Sequence, residues 1–99
     1  MSNTSLSIDK PQIDAILRRY GVVNVSVFGS FARDEATANS DLDLLVTYKP
    51  GTNLFDVMSL QDELEQTLGR KVDLVSQKYL SKRLAKRITK DLRPLSSVL

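Results

Sequence analysis

The sequence predicts one small α/β domain, spanning 1–99 and built around a small sheet, and three observations lead there. Segments with apolar residues at helical spacing alternate with short β-branched runs, the order of elements expected of a layered α/β fold. No internal repeat or low-complexity tract interrupts the alternation. The 99 residues suffice for one modest core and provide no second domain to close over a substrate. If the chemistry involves a large acceptor, a partner chain has to present it.

The elements follow in order. Asp9-Lys10-Pro11 reads as a helix start, with Asp9 as N-cap and Pro11 in the first turn. Ile13, Ile16, Leu17 and Tyr20 then share one helical face, and Gly21 supplies the stop. Val22 to Phe28 is β-branched and reads as a strand, with Val23, Val25 and Val27 expected on one side. Phe31 to Glu35 is expected as a short helix opened by Gly29-Ser30, and Ala36-Thr37-Ala38-Asn39-Ser40 has loop composition. A second strand is expected over Asp41–Tyr48, followed by a turn at Lys49-Pro50-Gly51-Thr52. Asn53 or Thr52 caps the next helix, whose face is marked by Leu54, Val57, Leu60 or Gln61, Leu64 and Leu68, with Gly69 at its end. Val72-Asp73-Leu74-Val75 is a short strand. Leu80, Leu84 and Ile88 predict a last helix from about Gln77 to Leu92, ended by Pro94.

The absences narrow the chemistry. There is no cysteine and no histidine, which removes thiolate nucleophiles, disulfides, Cys/His zinc sites and imidazole acid–base catalysis. Carboxylates, hydroxyls, Lys/Arg and backbone remain, and an all-oxygen metal site suits Mg²⁺ or Mn²⁺. The polar start Met1-Ser2-Asn3-Thr4-Ser5 lacks a basic n-region and leads into no secretory apolar stretch, so a cytoplasmic location is expected. Charge is unevenly divided. Residues 1–69 carry five Lys/Arg against ten Asp/Glu, a balance of −5, and residues 70–99 carry nine against two, a balance of +7. Lys82, Arg83, Lys86, Arg87 and Lys90 fall on the outer face of the last predicted helix. That face is either merely solvated or a surface for an acidic partner, a triphosphate or RNA.

The stretch that carries chemistry runs from Val25 to Val46. Gly29-Ser30 closes the first strand, and Asp41-Leu42-Asp43 opens the second. Side chains alternate along a strand, so Asp41 and Asp43 point one way while Leu42, Leu44 and Val46 point toward a core. Two anions 4 Å apart repel by ~4 kcal/mol at an effective dielectric near 20, so a cation is needed beside them. Strands also disfavour aspartate, and the same face continues with Leu45 rather than more polar residues, as a solvated edge would have it. A divalent-metal site is the reading that accounts for the pair. Asp73, from the later strand, either completes an oxygen cage for two ions or pairs with Arg70 or Lys71. Gly29 lets a ligand approach the backbone, and Ser30 adds a hydroxyl donor, as a phosphate-binding turn requires. An ordinary strand-to-helix turn is the other reading of these two residues. Arg33 either reaches a nucleotide phosphate with its planar fork or pairs with Glu35 or Asp34.

Gly29-Ser30, ten residues, Asp41-x-Asp43 and a later Asp73 resemble the signature of the nucleotidyltransferase superfamily of DNA polymerase β. Within it, the short chain and Gly-Ser-Phe-Ala-Arg look like the minimal nucleotidyltransferases, MntA-type antitoxins found beside HEPN-domain ribonuclease toxins. The similarity spans roughly Ile13 to Leu92. It implies a palm-like fold, a small mixed sheet flanked by helices, and transfer of AMP from ATP to a tyrosine of the toxin. It further implies that Asp41, Asp43 and Asp73 are catalytic and hold two Mg²⁺ ions, with Mn²⁺ as a substitute. Gly29, Ser30 and Arg33 would bind the nucleotide. The family commonly has glycine after the arginine, where this chain has Asp34, an extra negative charge that bears on ATP binding. Two other functions stay open: an antitoxin that blocks the toxin by contact alone, and nucleotidyl transfer to a small molecule. Direct binding of nucleic acid leaves the aspartates unexplained.

Overall fold

The computed structural model describes residues 10–98. Helix α1 spans Lys10–Arg19, strand β1 Val22–Phe28, β2 Leu42–Tyr48, helix α2 Leu54–Leu68, β3 Val72–Ser76, helix α3 Lys82–Thr89 and the two-residue strand β4 Arg93–Pro94. The strands form one mixed sheet in the order β3-β2-β1-β4. β1 runs antiparallel to β2 and to β4, while β2 and β3 are parallel and joined through α2, the crossover that a parallel pair requires. The expected cap at Asp9 lies outside the described residues. None of the described helices is long and apolar enough to cross a membrane.

One face of the sheet makes the core. Leu42, Leu44 and Val46 of β2, Val27 of β1 and Val72 of β3 are buried against Ile13, Ile16 and Leu17 of α1 and Leu60 and Leu64 of α2. α2 is held at both ends. The Asn53 side chain accepts from the Asp56 N–H and Asp56 reaches back to the Asn53 N–H, a reciprocal capping box. Gly69 ends the helix in the left-handed conformation, φ 68°, its N–H donating to the Glu65 carbonyl at 2.9 Å. Glu63 ties α2 to the end of α1, accepting from the Tyr20 hydroxyl at 2.7 Å and from Arg19 at 2.9 Å.

Five expectations need correction. Leu54 does not lie on the buried face of α2 but is 71% exposed. Val23 does not join Val25 and Val27: the pairing with β2 shifts register between Val22 and Asn24, so Val22 is buried and Val23 is 59% exposed. β2 begins at Leu42, one residue after Asp41. No helix forms over 31–35: residues 31–34 are turns, because Asp34 takes φ 61° and the Glu35 N–H closes back on the Ser30 carbonyl at 2.9 Å. The last helix is also shorter than its spacing implies. A 3-10 turn occupies Gln77–Tyr79, Leu80 is extended, and the Ser81 side chain caps a new start by accepting from the Leu84 N–H. Beyond Thr89 the chain returns to the sheet, and Pro94 is not a helix stop but part of β4, opposite Ser26. Of Leu80, Leu84 and Ile88, only Ile88 is buried, and Leu84 is 38% exposed.

Candidate active site

The site grows from the register of three strands. Asp43 on β2 lies opposite Phe28 on β1 and opposite Asp73 on β3. The apolar alternation Leu42, Leu44, Val46 fixes which face β2 buries, and that choice sends Asp43 to the other face. The parallel register then sets Asp73 beside it. Backbone ties hold this register where the strands begin. The Leu42 N–H donates to the Lys71 carbonyl at 2.9 Å. Both polar groups of Val72 are met from α2, its N–H by Glu65 Oε2 at 3.0 Å and its carbonyl by Gln61 Nε2 at 2.9 Å. Among the described residues Asp73 makes no ion pair with Arg70 or Lys71.

Gly29 is required at its position for two reasons. Its φ of 75° is one that L side chains rarely adopt, and a Cβ there would collide with the Asp43 carboxylate. The close approach expected of this glycine is thus made first by Asp43. After it, the Arg33 N–H donates to the Gly29 carbonyl at 3.1 Å and the Asp34 N–H to the Phe31 carbonyl at 3.3 Å. Phe31 and Ala32 are buried in the core and anchor this turn. No helix follows Ser30, so any anion binding here rests on the turn's own N–H groups and the Ser30 hydroxyl rather than on a helix dipole. The exchange of glycine for Asp34 also finds an explanation. The left-handed φ is one that glycine adopts freely and that aspartate tolerates better than most residues, and the Asp34 side chain is exposed.

Arg33 is engaged in ion pairs. Its Nε donates to Glu35 Oε1 at 2.8 Å and its Nη1 to Asp91 Oδ2 at 3.2 Å. Glu35 was one of the expected partners; Asp91, 58 residues away, could not be anticipated from spacing.

Electrostatics mark the pair of strand aspartates. The Asp43 carboxyl is pushed from 3.8 up to about 6, first by burial, then by the charge and hydrogen bond of Asp73 and the charge of Asp41, with Arg33 opposing. Among the described residues no three acidic side chains lie close enough to hold an ion together. Asp43 and Asp73 form a contact pair, and Asp41 acts on it through space. Crowded oxygen donors short of positive charge are the chemistry a divalent cation fits, so these residues suit a metal.

A small mixed sheet carrying an acidic pair against a glycine-serine turn defines a nucleotidyl-transfer scaffold. The chain belongs to the nucleotidyltransferase domain family, whose model matches residues 10–96. A protein of Methanocaldococcus jannaschii provisionally named a protein adenylyltransferase is 40% identical over 79 residues, 80% of this chain and 85% of that protein. Protein adenylyltransferase MntA of Thermococcus cleftensis is 38% identical over 74 residues, 75% of each chain. Among solved structures, one provisionally described as a minimal nucleotidyltransferase superposes with a TM-score of 0.76 at 39% identity, covering 95% of this chain and 99% of that one. A complex of a tri-AMPylated Shewanella oneidensis HEPN toxin with its MNT antitoxin shares the fold, with a TM-score of 0.64 at 22% identity over 86% of this chain and 66% of that one.

Proposed function

We propose that this chain is a Mg²⁺-dependent protein adenylyltransferase that moves AMP from ATP to a tyrosine hydroxyl of a partner HEPN ribonuclease toxin in the cytoplasm, and so acts as its antitoxin. The observation that carries the proposal is the contact of Asp43 with Asp73 in register, pressed against Gly29. Relatives named as adenylyltransferases and the fold shared with a toxin complex support it.

Asp43 and Asp73 would hold the two Mg²⁺ ions, and Asp41, which does not meet them in the metal-free chain, would move in as the third ligand. Bound there, divalent ions neutralise the carboxylates and the triphosphate and acidify a hydroxyl. Ser30 and the N–H groups of the turn after Gly29 would hold the triphosphate. Arg33 would release Glu35 or Asp91 to reach it, exchanging one charge-assisted bond for another. In the reaction the hydroxyl oxygen bonds to the α-phosphorus, the bond to pyrophosphate breaks, and Asp73 stands beside the incoming hydroxyl to take its proton. The chain's share is positioning and electrostatics. The buried Leu42, Leu44 and Val46 fix β2, and the parallel register fixes Asp73 against it.

The test incubates the chain with Mg²⁺, labelled ATP and the HEPN protein. Label is expected on the toxin and is expected to fall about a thousandfold in Asp43→Asn, a barrier increase of ~4 kcal/mol. No label with the wild-type chain would overturn the proposal. Full neutralisation of the toxin by a chain carrying both Asp41→Asn and Asp43→Asn would establish inhibition by contact instead.

A further inference from the structure

Arg70 links the two halves of the site. It lies between the Gly69 cap of α2 and the start of β3, three residues before Asp73. Its guanidinium stacks over the Phe31 ring, 4.8 Å from the centroid. Nη1 donates to the Ser40 carbonyl at 2.8 Å and leans toward the Thr37 carbonyl at 3.4 Å. Nε is buried with no hydrogen-bond partner among the described residues. Phe31 directly follows Gly29-Ser30, and Ser40 directly precedes Asp41. One side chain thus touches both ends of the segment that separates the turn from the aspartates.

That segment needs an outside hold. Beyond the buried Ala36, residues 37–40 have no regular structure, and the bonds among them are short-range: the Thr37 N–H donates to Ser40 Oγ at 2.7 Å and the Asn39 N–H to Thr37 Oγ1 at 3.3 Å. Such bonds shape the loop without fixing it relative to the sheet. Asp41 lies outside β2, so the ladder does not fix its backbone as it fixes Asp43.

We infer that Arg70 is a positioning residue for the carboxylate site, holding the Ser40 carbonyl and the Phe31 ring so that Asp41 and the Gly29-Ser30 turn keep their places relative to Asp43 and Asp73. It makes no ion pair with Asp73, so it acts through geometry rather than by neutralising the aspartates. Arginine suits the task because its planar group stacks on a ring while donating in its own plane, which an ammonium cannot reproduce. The metal side of this inference rests on the proposed function.

Arg70→Gln and Arg70→Lys in the full chain test it, with two readouts that need no transfer activity: amide hydrogen exchange over residues 37–41, and Mn²⁺ affinity by electron paramagnetic resonance. Arg70→Gln is expected to speed exchange at 37–41 about tenfold while α2 and β3 exchange as in the wild type. Its Mn²⁺ affinity is expected to weaken about tenfold, the scale seen when a group orienting a metal ligand is lost. Arg70→Lys, which keeps a donor but no fork, falls between, and it carries the test if the glutamine variant does not fold. Wild-type Mn²⁺ affinity in the variants, or weakened affinity with unchanged exchange at 37–41, would overturn the inference. Absence of Mn²⁺ binding by the wild-type chain would instead sink the metal reading of the site, and exchange alone would then decide whether Arg70 holds the loop.

Discussion

Along β2, neighbouring residues serve opposite ends. Leu42, Leu44 and Val46 lie fully inside, beneath α1 and α2, and gain by leaving water. Asp43, between the first two, faces Asp73 on the other side of the sheet, and its carboxyl titrates near 6 because burial and like charge oppose ionisation. The same backbone hydrogen bonds hold both faces. A strand can present an unfavourable cluster of charge on one side because the other side over-determines its register. This site draws on the stability of its neighbours rather than adding to it, as functional sites commonly do.

The charged face of β2 is the more sensitive to substitution. Asp43→Asn should lower AMP transfer about a thousandfold, ~4 kcal/mol in barrier, yet raise the urea midpoint of the metal-free chain at pH 7. A lowered midpoint would mean that the carboxylate contributes to the fold. Leu44→Ala tests the other side. It should cost ~3 kcal/mol of stability by urea titration, with Mn²⁺ affinity per folded molecule unchanged; weakened affinity would show that the two faces are not separable. A smaller effect is expected with pH. In the metal-free chain the unfolded Asp43 loses its proton near 3.8 and the folded one near 6, so the native state binds more protons between those values. The contribution of Asp43 to stability therefore falls as pH rises from about 4 to 6. Comparing the wild type with Asp43→Asn over that window isolates it, and parallel pH profiles would refute it. Least of all, Leu84→Ala on the half-open face of α3 should change stability by ~0.5 kcal/mol or less, although its spacing matches that of the buried Ile88.

How far the sequence could be read follows the same division. Gly29, Ser30, Asp41, Asp43 and Asp73 stood out because strand alternation is a local rule, and aspartates in an apolar run violate it visibly. The ends of α2 were legible as Thr52 or Asn53 and Gly69, since a cap acts within one turn; the choice of Asn53, and the part Asp56 plays in the capping box, came only with the structure. What escaped depended on distant partners. The spacing of Leu80, Leu84 and Ile88 fits a helix, but Ser81 offers a cap in the middle of it, and the local hydrogen bond prevailed. Val23 was misplaced because a register shift leaves no mark in a row of valines. Arg70 could be seen only as a candidate counter-ion, since its true contacts, Phe31 and Ser40, lie 30 or more residues away. No periodicity encodes such a meeting.

The pairing of β4 with β1 has a consequence for how the chain can be cut. Arg93 and Pro94 lie against Val27 and Ser26, just before Gly29, and Asp91 grips Arg33 just after it. The last stretch of sequence is therefore a splint across the Gly29-Ser30 bend. Trimming the protein from its carboxyl end at Lys90 would leave every aspartate of the site in place and still loosen the bend they face.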